Sequence, residues 1–482
     1  MVELYRWAAI DKFQDRAADL ARLEEWWEAE GNMPLNLYGR RRTGKSWLFR
    51  RLAHNKPAVI LVADKLAPGT QLSRFAAALT APLGFRPDLA DVPTVFRLLF
   101  RLGQQAKTLV VIDEFPWLLP ATEAEAQRVL SGVQAVIEEE RDASQLKLIL
   151  CGSSVSQMES LMSERNPLHG RFIAHALRPL RYQDASVFLA NLDPLKRIER
   201  FSITGGMPRY LSDLAGGDLK KVICSELLNP HGCLWDEGRV IVEQELRQAN
   251  FYFSILEQLA TGAKTVEEIS TGARIENKTV TRYLDTLVEL RVVRRGVPVG
   301  APETSRQGRW HLTDPFLGFW FRYVFPFQTD LESGLPPADL WTSVIAPTLS
   351  EHVAPHFEQV CRDWTATNCG ARAQKFGSWW GNSLNAQRRI GERTSEEIDI
   401  VGLSKGKVTL VGECRWRNKA MDGNILRELF QYKLPALVQD GYRLADDLHI
   451  LLFSRSGYMP GLTAASSTEP SVELIDVKAQ VG

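Results

Sequence analysis

The first part of the chain alternates short apolar runs with segments of helical periodicity. Apolar positions recur at helical spacing over Ala17–Trp27 and Leu72–Leu79. The continuous apolar runs between such segments are Leu35–Tyr38, Ala58–Ala63, Leu109–Asp113 and Leu146–Cys151. Runs of this length are typical of strands buried on both faces, and strands that alternate with helices indicate a parallel sheet covered by helices. We therefore predict an α/β fold here, followed by a mostly helical region over Gln183–Leu228.

From about Glu243 the pattern changes. Helical periodicity is predicted over Phe251–Ala260, Val266–Thr271 and Lys278–Leu290. Two predicted strands follow, Val292–Pro298 and Arg309–Leu312. Three helices followed by a two-stranded wing are typical of a winged helix-turn-helix.

The last part of the chain follows a segment rich in turn residues. Gln328–Ala338 contains Ser333-Gly334 and Pro336-Pro337, which favour a linker. Beyond it we predict helices over Phe357–Ala366 and Asn424–Leu437. The predicted strands are Gln374–Trp380, Ile398–Leu403, Val408–Cys414, His449–Phe453 and Val472–Val477. This order predicts a second α/β domain.

Composition adds limits rather than a function. Lys plus Arg and Asp plus Glu number 58 each, so the net charge neither favours nor excludes a nucleic-acid partner. None of the six cysteines forms a C-x-x-C pair, which indicates reduced thiols. Met1–Phe13 lacks a long apolar core, and no apolar run reaches about 18 residues. We therefore expect no signal peptide, no membrane span and a cytoplasmic protein.

A phosphate-binding motif follows the first apolar run. Residues 39–46 fit G-x-x-x-x-G-K-[ST] and lie between a predicted strand and a predicted helix, which is the context the motif requires. Glycines let successive backbone N–H groups point at phosphate oxygens, and the helix N-terminus favours an anion. The sequence thus predicts a site for ATP and Mg²⁺ formed by Gly39, Arg40, Arg41, Arg42, Thr43, Gly44, Lys45, Ser46 and the following Trp47. Lys45 would reach the β- and γ-phosphates, and the Ser46 hydroxyl would bind the metal.

Two carboxylates end the third apolar run. Asp113 emerges where ligands bind in open α/β sheets and would complete the Mg²⁺ shell, while Glu114 would act as the general base for ATP hydrolysis. A serine follows the fourth run: Ser153 either senses the γ-phosphate or only caps the next helix.

With these motifs, the chain resembles the archaeal-type ATPase family of the AAA+/STAND group of P-loop NTPases, whose members often carry a nuclease-like C-terminal domain. Four segments carry the resemblance: Phe13–Arg16 with Asp19-Leu20, Leu148–Ser154, Pro167–Arg171 and Gly205–Leu211. The third looks like the family's P-L-Y-G-R with His169 in place of Tyr, and the fourth like its G-G-x-P-x-Y-L.

The resemblance implies three further roles. Arg171 would be a catalytic arginine finger, in cis or in a neighbouring copy of a homo-oligomer; otherwise it is a structural arginine that pairs with a carboxylate. Pro208 would pack on adenine and report the nucleotide state, or form a rigid turn. Arg16 would support the adenine side, or form a surface ion pair, and Ala17 after it departs from the family's usual R-E-x-E-L.

The predicted winged helix carries Lys278, Arg282, Arg291, Arg294 and Arg295. These residues fit a recognition helix in the major groove with a wing on the phosphates. The same stretch contains Glu276, Asp285 and Glu289, so a structural or protein-binding role stays open.

The last domain presents Asp399 and Glu413 on two successive predicted strands, which we expect to form a hairpin with both carboxylates on one side. Such a pair can share Mg²⁺ and activate water, and Glu358 would add a third carboxylate. This arrangement resembles the PD-(D/E)XK nuclease core, with Arg415 where the pattern has lysine. Because arginine is planar and bulkier than lysine, the domain is either an active nuclease or an inactive, binding version of one.

Two other pairs have simpler interpretations. His352 and His356 stand at a spacing of four, but Pro355 separates them, so we interpret them as surface residues before a helix rather than as metal ligands. We interpret Trp379-Trp380 as core packing, with base stacking as the alternative.

The sequence thus predicts five parts: an ATPase core (1–180), a helical lid (181–242), a winged helix-turn-helix (243–327), a linker (328–344) and a PD-(D/E)XK nuclease-like domain (345–482). ATP hydrolysis would control DNA processing or DNA binding by the C-terminal module. Alternatively, the chain is a nucleotide switch or DNA-binding regulator that assembles with partners and has an inactive nuclease-like domain.

Overall fold

A computed structural model of the protein describes residues 16–246, 249–384 and 395–481. These residues form two compact units. The first contains the described residues up to Phe188 together with Gly206–Tyr210, and the second contains Leu189–Gly205 and the described residues from Leu211 onward. Among the described residues, no helix combines the length and hydropathy that crossing a bilayer requires.

The first unit is built on a parallel sheet of five strands. The strands are β1 (Leu35–Tyr38), β2 (Ala58–Val62), β3 (Thr108–Asp113), β4 (Leu146–Gly152) and β5 (Ile173–Ala176). Their order is β2-β3-β4-β1-β5, so β4 lies between the strand before the phosphate motif and the strand that ends at Asp113. The predicted α/β fold with a parallel sheet is confirmed.

Both faces of this sheet are covered. Along β3, Val110 and Ile112 belong to one apolar cluster, whereas Leu109 and Val111 belong to a second cluster on the other face. This two-sided burial explains why the strand is a continuous apolar run rather than an alternating one. The helices of this unit are α1 (Ala17–Glu28), α2 (Lys45–Ala53), α3 (Pro68–Leu83), α4 (Val92–Gln105), α5 (Glu123–Glu140), α6 (Val155–Ser160) and α7 (Tyr182–Ala185).

The helical region of the second unit leads into a small antiparallel sheet. The sheet consists of β6 (Val293–Gly296) and β7 (Arg309–Leu312), and it directly follows three helices, the second of which begins with a capping box between Thr265 and Glu268. The helices up to α15 are α8 (Pro194–Thr204), α9 (Pro208–Leu214), α10 (Leu219–Glu226), α11 (Glu237–Glu245), α12 (Ala249–Ala260), α13 (Val266–Ala273), α14 (Asn277–Glu289) and α15 (Pro315–Tyr323).

The structure corrects the prediction that residues 328–344 form a linker. This stretch contains α16 (Gln328–Glu332) and α17 (Pro337–Leu340), and Leu331, Leu340 and Trp341 are buried. Pro336 and Pro337 misled the prediction because proline is tolerated at the start of a helix, where its missing N–H has no intrahelical partner.

A second sheet, of mixed direction, forms the C-terminal part. Its strands are β8 (Lys375–Asn382), β9 (Ser395–Ser404), β10 (Lys407–Arg415), β11 (Arg443–Ser454) and β12 (Val472–Asp476), in the order β12-β11-β10-β9-β8. The helices are α18 (Ala346–Asn368), α19 (Asn424–Glu428), α20 (Leu434–Gln439) and α21 (Pro460–Thr468). Strands β8, β9 and β10 are antiparallel, whereas β10, β11 and β12 run parallel.

The two histidines of this region require a second correction. His352 and His356 both lie inside α18, and His352 is buried with Nε2 2.8 Å from the carbonyl oxygen of Ser202. They are not surface residues before a helix, because Pro355 lies within α18 and does not precede it.

Candidate functional site

The phosphate motif forms a tight loop between β1 and α2. Gly44 has φ of 93°, in the left-handed region that glycine adopts without strain, and α2 begins at the next residue. A Cβ atom on Gly39 would lie 2.2 Å from the carbonyl oxygen of Leu177, so only glycine fits there. The two glycines therefore fix the loop at both ends. The loop leads into the N-terminus of α2, and a helix N-terminus favours anions.

Lys45 is buried and its side chain folds back into this loop. Its Nζ donates to the carbonyl oxygen of Gly39 at 2.6 Å and to that of Arg40 at 3.0 Å. These carbonyl oxygens occupy the positions around the ammonium that we expect phosphate oxygens to take. The cation is thus already directed at the space inside the loop.

Ser46 and Asp113, the predicted metal ligands, face each other. The Ser46 Oγ and the Asp113 Oδ2 are 3.4 Å apart. Burial, and to a smaller extent the charge of Glu114, raise the pKa of Asp113 above its usual range and outweigh the lowering by the Cys151 hydrogen bond and the Lys45 charge. One hydroxyl and one carboxylate suit Mg²⁺, which takes oxygen ligands and binds through one or two carboxylates plus substrate phosphates.

Glu114 is held by the residue that follows the neighbouring strand. Its Oε2 accepts hydrogen bonds from the Ser153 backbone N–H at 3.2 Å and from the Ser153 hydroxyl at 2.9 Å. Glu114 also has φ of 54°, an uncommon conformation for a residue with a side chain. The sheet order thus brings the predicted base and the predicted sensor together, which their separation in the sequence does not reveal.

Arg16 and Pro208 both approach the loop. Arg16 is buried and donates from Nη2 to the carbonyl oxygen of Thr43 at 2.8 Å. The Pro208 Cγ lies 3.7 Å from where a Cβ atom on Gly44 would be. Phe13–Asp15, which precede Arg16 in the first segment that carries the family resemblance, lie outside the described residues. The side chains of Arg41, Arg42 and Trp47 are exposed, and Arg40 is half-buried.

Within this chain, Arg171 pairs with a carboxylate, as the structural alternative to the arginine-finger role predicts. Its guanidinium pairs with Glu138, with Nε 3.1 Å from Oε1, and its Nη1 donates to the His169 carbonyl oxygen at 3.0 Å. These contacts anchor it to α5 and to its own loop, with no described contact to Lys45 or Glu114. A role in a neighbouring copy stays a prediction.

Asp399, Glu413 and Arg415 meet where β9 and β10 run side by side. Arg415 donates to Asp399 Oδ2 from Nη1 at 3.3 Å and to Glu413 Oε2 from Nη2 at 2.9 Å. The Cys414 backbone N–H also donates to Asp399 Oδ2, at 2.8 Å. The guanidinium therefore bridges the two carboxylates.

Lys433 completes this cluster, and the sequence reasoning missed it. Its buried Nζ lies 2.6 Å from Glu413 Oε1, so both oxygens of the fully buried Glu413 carboxylate bind a cation. Burial, followed by the Asp399 charge, raises the pKa of Glu413 to about 7 against the lowering effects of Lys433 and Arg415. No local motif marks Lys433; only the packing of its helical segment on the C-terminal sheet reveals it.

The predicted three-carboxylate metal site does not form. Among the residues that the structure describes, no three His, Cys, Asp or Glu side chains are arranged to hold a metal ion. The reason is Arg415, which occupies the position between Asp399 and Glu413 that a shared cation requires. Glu358 lies near Asp399, and burial together with that charge raises the pKa of Glu358 well above its usual range, which favours its neutral form.

The predicted DNA-binding residues lie in different environments. Lys278 and Arg282 are exposed on α14. Arg295 instead holds the loop between β6 and β7, because it donates to the carbonyl oxygens of Glu303 and Ser305. Trp379 and Trp380 are both buried, which agrees with core packing and leaves no exposed face for stacking on bases.

Comparison with known proteins gives the following similarities. Residues 320–426 match a family described as "Archaea bacterial proteins of unknown function". The chain is 25% identical over 421 residues to the "Uncharacterized protein MJECL04" of Methanocaldococcus jannaschii, covering 84% of this chain and 88% of that protein.

Two solved structures are also similar. The Walker-type ATPase PABY2304 of Pyrococcus abyssi is 18% identical with a TM-score of 0.49, covering 66% of this chain and 99% of that one. The Aeropyrum pernix ORC2 protein in its ADPNP–ADP complexes is 17% identical with a TM-score of 0.40, covering 69% of this chain and 96% of that one.

Proposed function

We propose that this protein binds ATP with Mg²⁺ at the loop Gly39–Ser46 and hydrolyses it. The observation that carries the proposal is the arrangement at the carboxyl ends of β1 and β3: Ser46 Oγ lies 3.4 Å from Asp113 Oδ2, and the adjacent Glu114 is fixed by Ser153. A chance match to the phosphate motif would not bring a hydroxyl, a metal-binding carboxylate and a positioned base to one end of a parallel sheet.

Each side chain has a distinct task in this proposal. Lys45 exchanges its two loop carbonyl partners for the β- and γ-phosphates. Ser46 and Asp113 would hold the Mg²⁺, which when bound would neutralise phosphate charge. Ser153 binds only Oε2 of Glu114, so Oε1 is left to orient a water molecule and accept its proton.

The test compares Glu114→Gln with Lys45→Ala. Glu114→Gln should bind ATP with unchanged affinity and hydrolyse it about 10²- to 10⁴-fold more slowly, because glutamine keeps the contact to Ser153 but cannot accept the proton. Lys45→Ala should lose ATP binding. Glu123→Gln, an exposed carboxylate at the start of α5, is the matched control and should leave turnover unchanged. Normal turnover by Glu114→Gln would show that another residue is the base.

For the C-terminal part, we favour nucleotide-controlled DNA binding without cleavage over DNA cleavage. The specific observation is the Arg415 guanidinium, which with Lys433 already neutralises Asp399 and Glu413. We expect supercoiled plasmid to stay intact with Mg²⁺ or Mn²⁺, with or without ATP, while ATP changes the affinity for DNA. Metal-dependent nicking that disappears in Asp399→Ala would establish the nuclease alternative.

A further inference from the structure

The second unit contains a cleft whose lining spans the small β6–β7 sheet, α18 and the C-terminal sheet. Its volume is about 1100 Å³. One wall carries Arg294, Arg309 and His311 from β6 and β7, and α18 adds Arg362. The ends of β9 and β10, where Asp399 and Arg415 lie, also line the cleft. The cleft is therefore lined by charged side chains of both signs.

Arg294 and His311 point to the same side of the small sheet. They are direct cross-strand neighbours in the antiparallel register. A Cβ atom on Gly296 would lie 2.8 Å from His311 Nε2 and 3.3 Å from Arg294 Nη1, so both side chains fill the space that glycine leaves open. A guanidinium and an imidazole nitrogen of the β6–β7 sheet thus converge on one point in the cleft.

Several cations in the cleft already have carboxylate partners, whereas Arg294 and Arg362 do not. Arg322 pairs with Glu351 at 2.7 Å, Arg309 lies 3.7 Å from Glu397, and Arg415 bridges its two carboxylates. Among the described residues, no carboxylate oxygen lies within 4.0 Å of a nitrogen of Arg294 or Arg362. Arg362 donates instead to the Asp399 backbone carbonyl oxygen, at 3.0 Å from Nη2.

The electrostatics of His311 agree with an excess of positive charge on this wall. Its buried Nε2 has no hydrogen-bond partner among the described residues. Burial, followed by the charges of Arg294, Arg362 and Arg309, lowers the pKa of His311 to about 3, so the imidazole is neutral. The pKa of Arg294 is also lowered, by desolvation and by Arg362. Arg294, a cation without a carboxylate partner among the described residues, lies beside the unsatisfied nitrogen of His311, and this arrangement indicates an anionic ligand.

We propose that this cleft binds the phosphate backbone of a single nucleic-acid strand, with Arg294 and Arg362 contacting phosphate oxygens. Pockets for compact ligands measure about 300–1000 Å³, so this cleft holds a few nucleotides of an extended strand but no duplex. Trp380 and Trp416 border the cleft but are buried, so they offer no stacking platform. Recognition then depends on backbone charge, which makes binding insensitive to sequence and strongly salt-dependent.

This inference rests on the proposed DNA-binding role and not on ATP binding, so the test uses the Lys45→Ala full-length chain as background. Fluorescence anisotropy with a short labelled oligothymidylate is measured over a series of salt concentrations. The Arg294 side chain makes no hydrogen bond or ion pair with another described residue, and Arg294→Ala leaves the backbone ladder of β6 and β7 in place, so this variant should fold normally. It should weaken binding about 10-fold at low salt and reduce the slope of log K against log salt by about 0.7, the value for one phosphate contact on a single strand.

Arg294→Lys keeps the charge and should restore most of the affinity and of the slope. Arg128→Ala, on the exposed surface of α5, is the matched control and should bind like the background chain. Loss of binding in Arg282→Ala but not in Arg294→Ala would overturn the cleft proposal and leave DNA binding intact. No binding of single-stranded or duplex DNA by any variant would refute the DNA-binding role itself.

A final arm separates a strand from a free nucleotide, which shares the same phosphate chemistry. In the Lys45→Ala background, thymidine monophosphate at equal phosphate concentration should compete weakly with the oligothymidylate, because one phosphate makes fewer contacts than a backbone. If thymidine monophosphate competed as well as the oligothymidylate does, the ligand of the cleft would be a mononucleotide and the proposal of a bound strand would be wrong.

Discussion

Replacing Lys433 with methionine should destabilise the C-terminal sheet, because it removes one of the two cations that neutralise Glu413. The Lys433 Nζ is 2.6 Å from Glu413 Oε1, and the side chains are 3% and 0% exposed. Water therefore cannot replace the lost partner without opening the sheet. Methionine retains most of the apolar length of lysine, so the packing of the helical segment should change little.

The magnitude follows from the burial of both charges. Breaking a buried ion pair by removing one partner costs about 3–5 kcal/mol. Arg415 stays on the other carboxylate oxygen at 2.9 Å, so we expect the lower end, about 3 kcal/mol. Each loss of about 1.4 kcal/mol raises the opening equilibrium constant tenfold, so amides that exchange only when the sheet opens should exchange about 150-fold faster.

Hydrogen–deuterium exchange of the whole chain measures this effect locally, which suits a protein with two compact units. The amides of β10 are followed at pH 8, where Glu413, with a pKa of about 7, is ionised. Lys419→Met, which removes an exposed lysine that also borders the cleft, is the control and should exchange like the wild type. Adding Glu413→Gln to Lys433→Met should recover most of the protection. Exchange of β10 within threefold of wild type in Lys433→Met would refute the reasoning.

Three other outcomes are expected. The pKa of Glu413 rises from about 4.5 to about 7 on folding, so its ionisation should lower the stability of the C-terminal sheet by about 3 kcal/mol as pH rises through that window. Amide protection of β10 should therefore fall with rising pH in the wild type but not in Glu413→Gln. The same pH dependence of β10 protection in both proteins would contradict this prediction. Lys147→Met removes a buried ammonium that donates to three carbonyl oxygens at the end of α1. We expect a loss of about 2 kcal/mol, so α1 amides should exchange at least about 30-fold faster. Unchanged exchange of the α1 amides would disprove the capping role. A Cβ atom on Gly206 would lie 1.8 Å from the Leu180 carbonyl oxygen, so Gly206→Ala should lower the melting temperature and weaken ATP binding. Gly216 has open space around it, so Gly216→Ala should do neither. Equal melting temperatures of the two variants would count against the clash.

The sequence predicts the first four strands of the first unit well, because the patterns that specify them are local. For example, Leu109–Asp113 is predicted and Thr108–Asp113 is observed. Apolar runs, glycines and a motif with fixed spacing suffice to place the phosphate loop. Strand β5 was missed, because Ile173 and Ala174 are exposed and the short run gives no apolar signal.

What the sequence could not give depends on tertiary packing. Lys433 reaches Glu413 across 20 positions of sequence, and the contact between Ser153 and Glu114 spans 39. Both require the sheet order, which no local pattern specifies. Pro355 misled the assignment of His352 and His356 because the rule that proline ends a helix is statistical, and here α18 continues past it.

The short segment Gly206–Tyr210 has a consequence for how this protein can be divided. It belongs to the first unit, although the residues on both sides of it belong to the second, so the chain passes between the units three times. No single cut therefore yields two intact halves: a fragment that ends at Phe188 lacks Pro208 and Tyr210, and its counterpart carries them without the loop they approach. In a recombining genome, one crossover at this junction would replace the second unit together with part of the nucleotide site. We therefore expect the two units to be inherited together more often than two domains joined by a single linker.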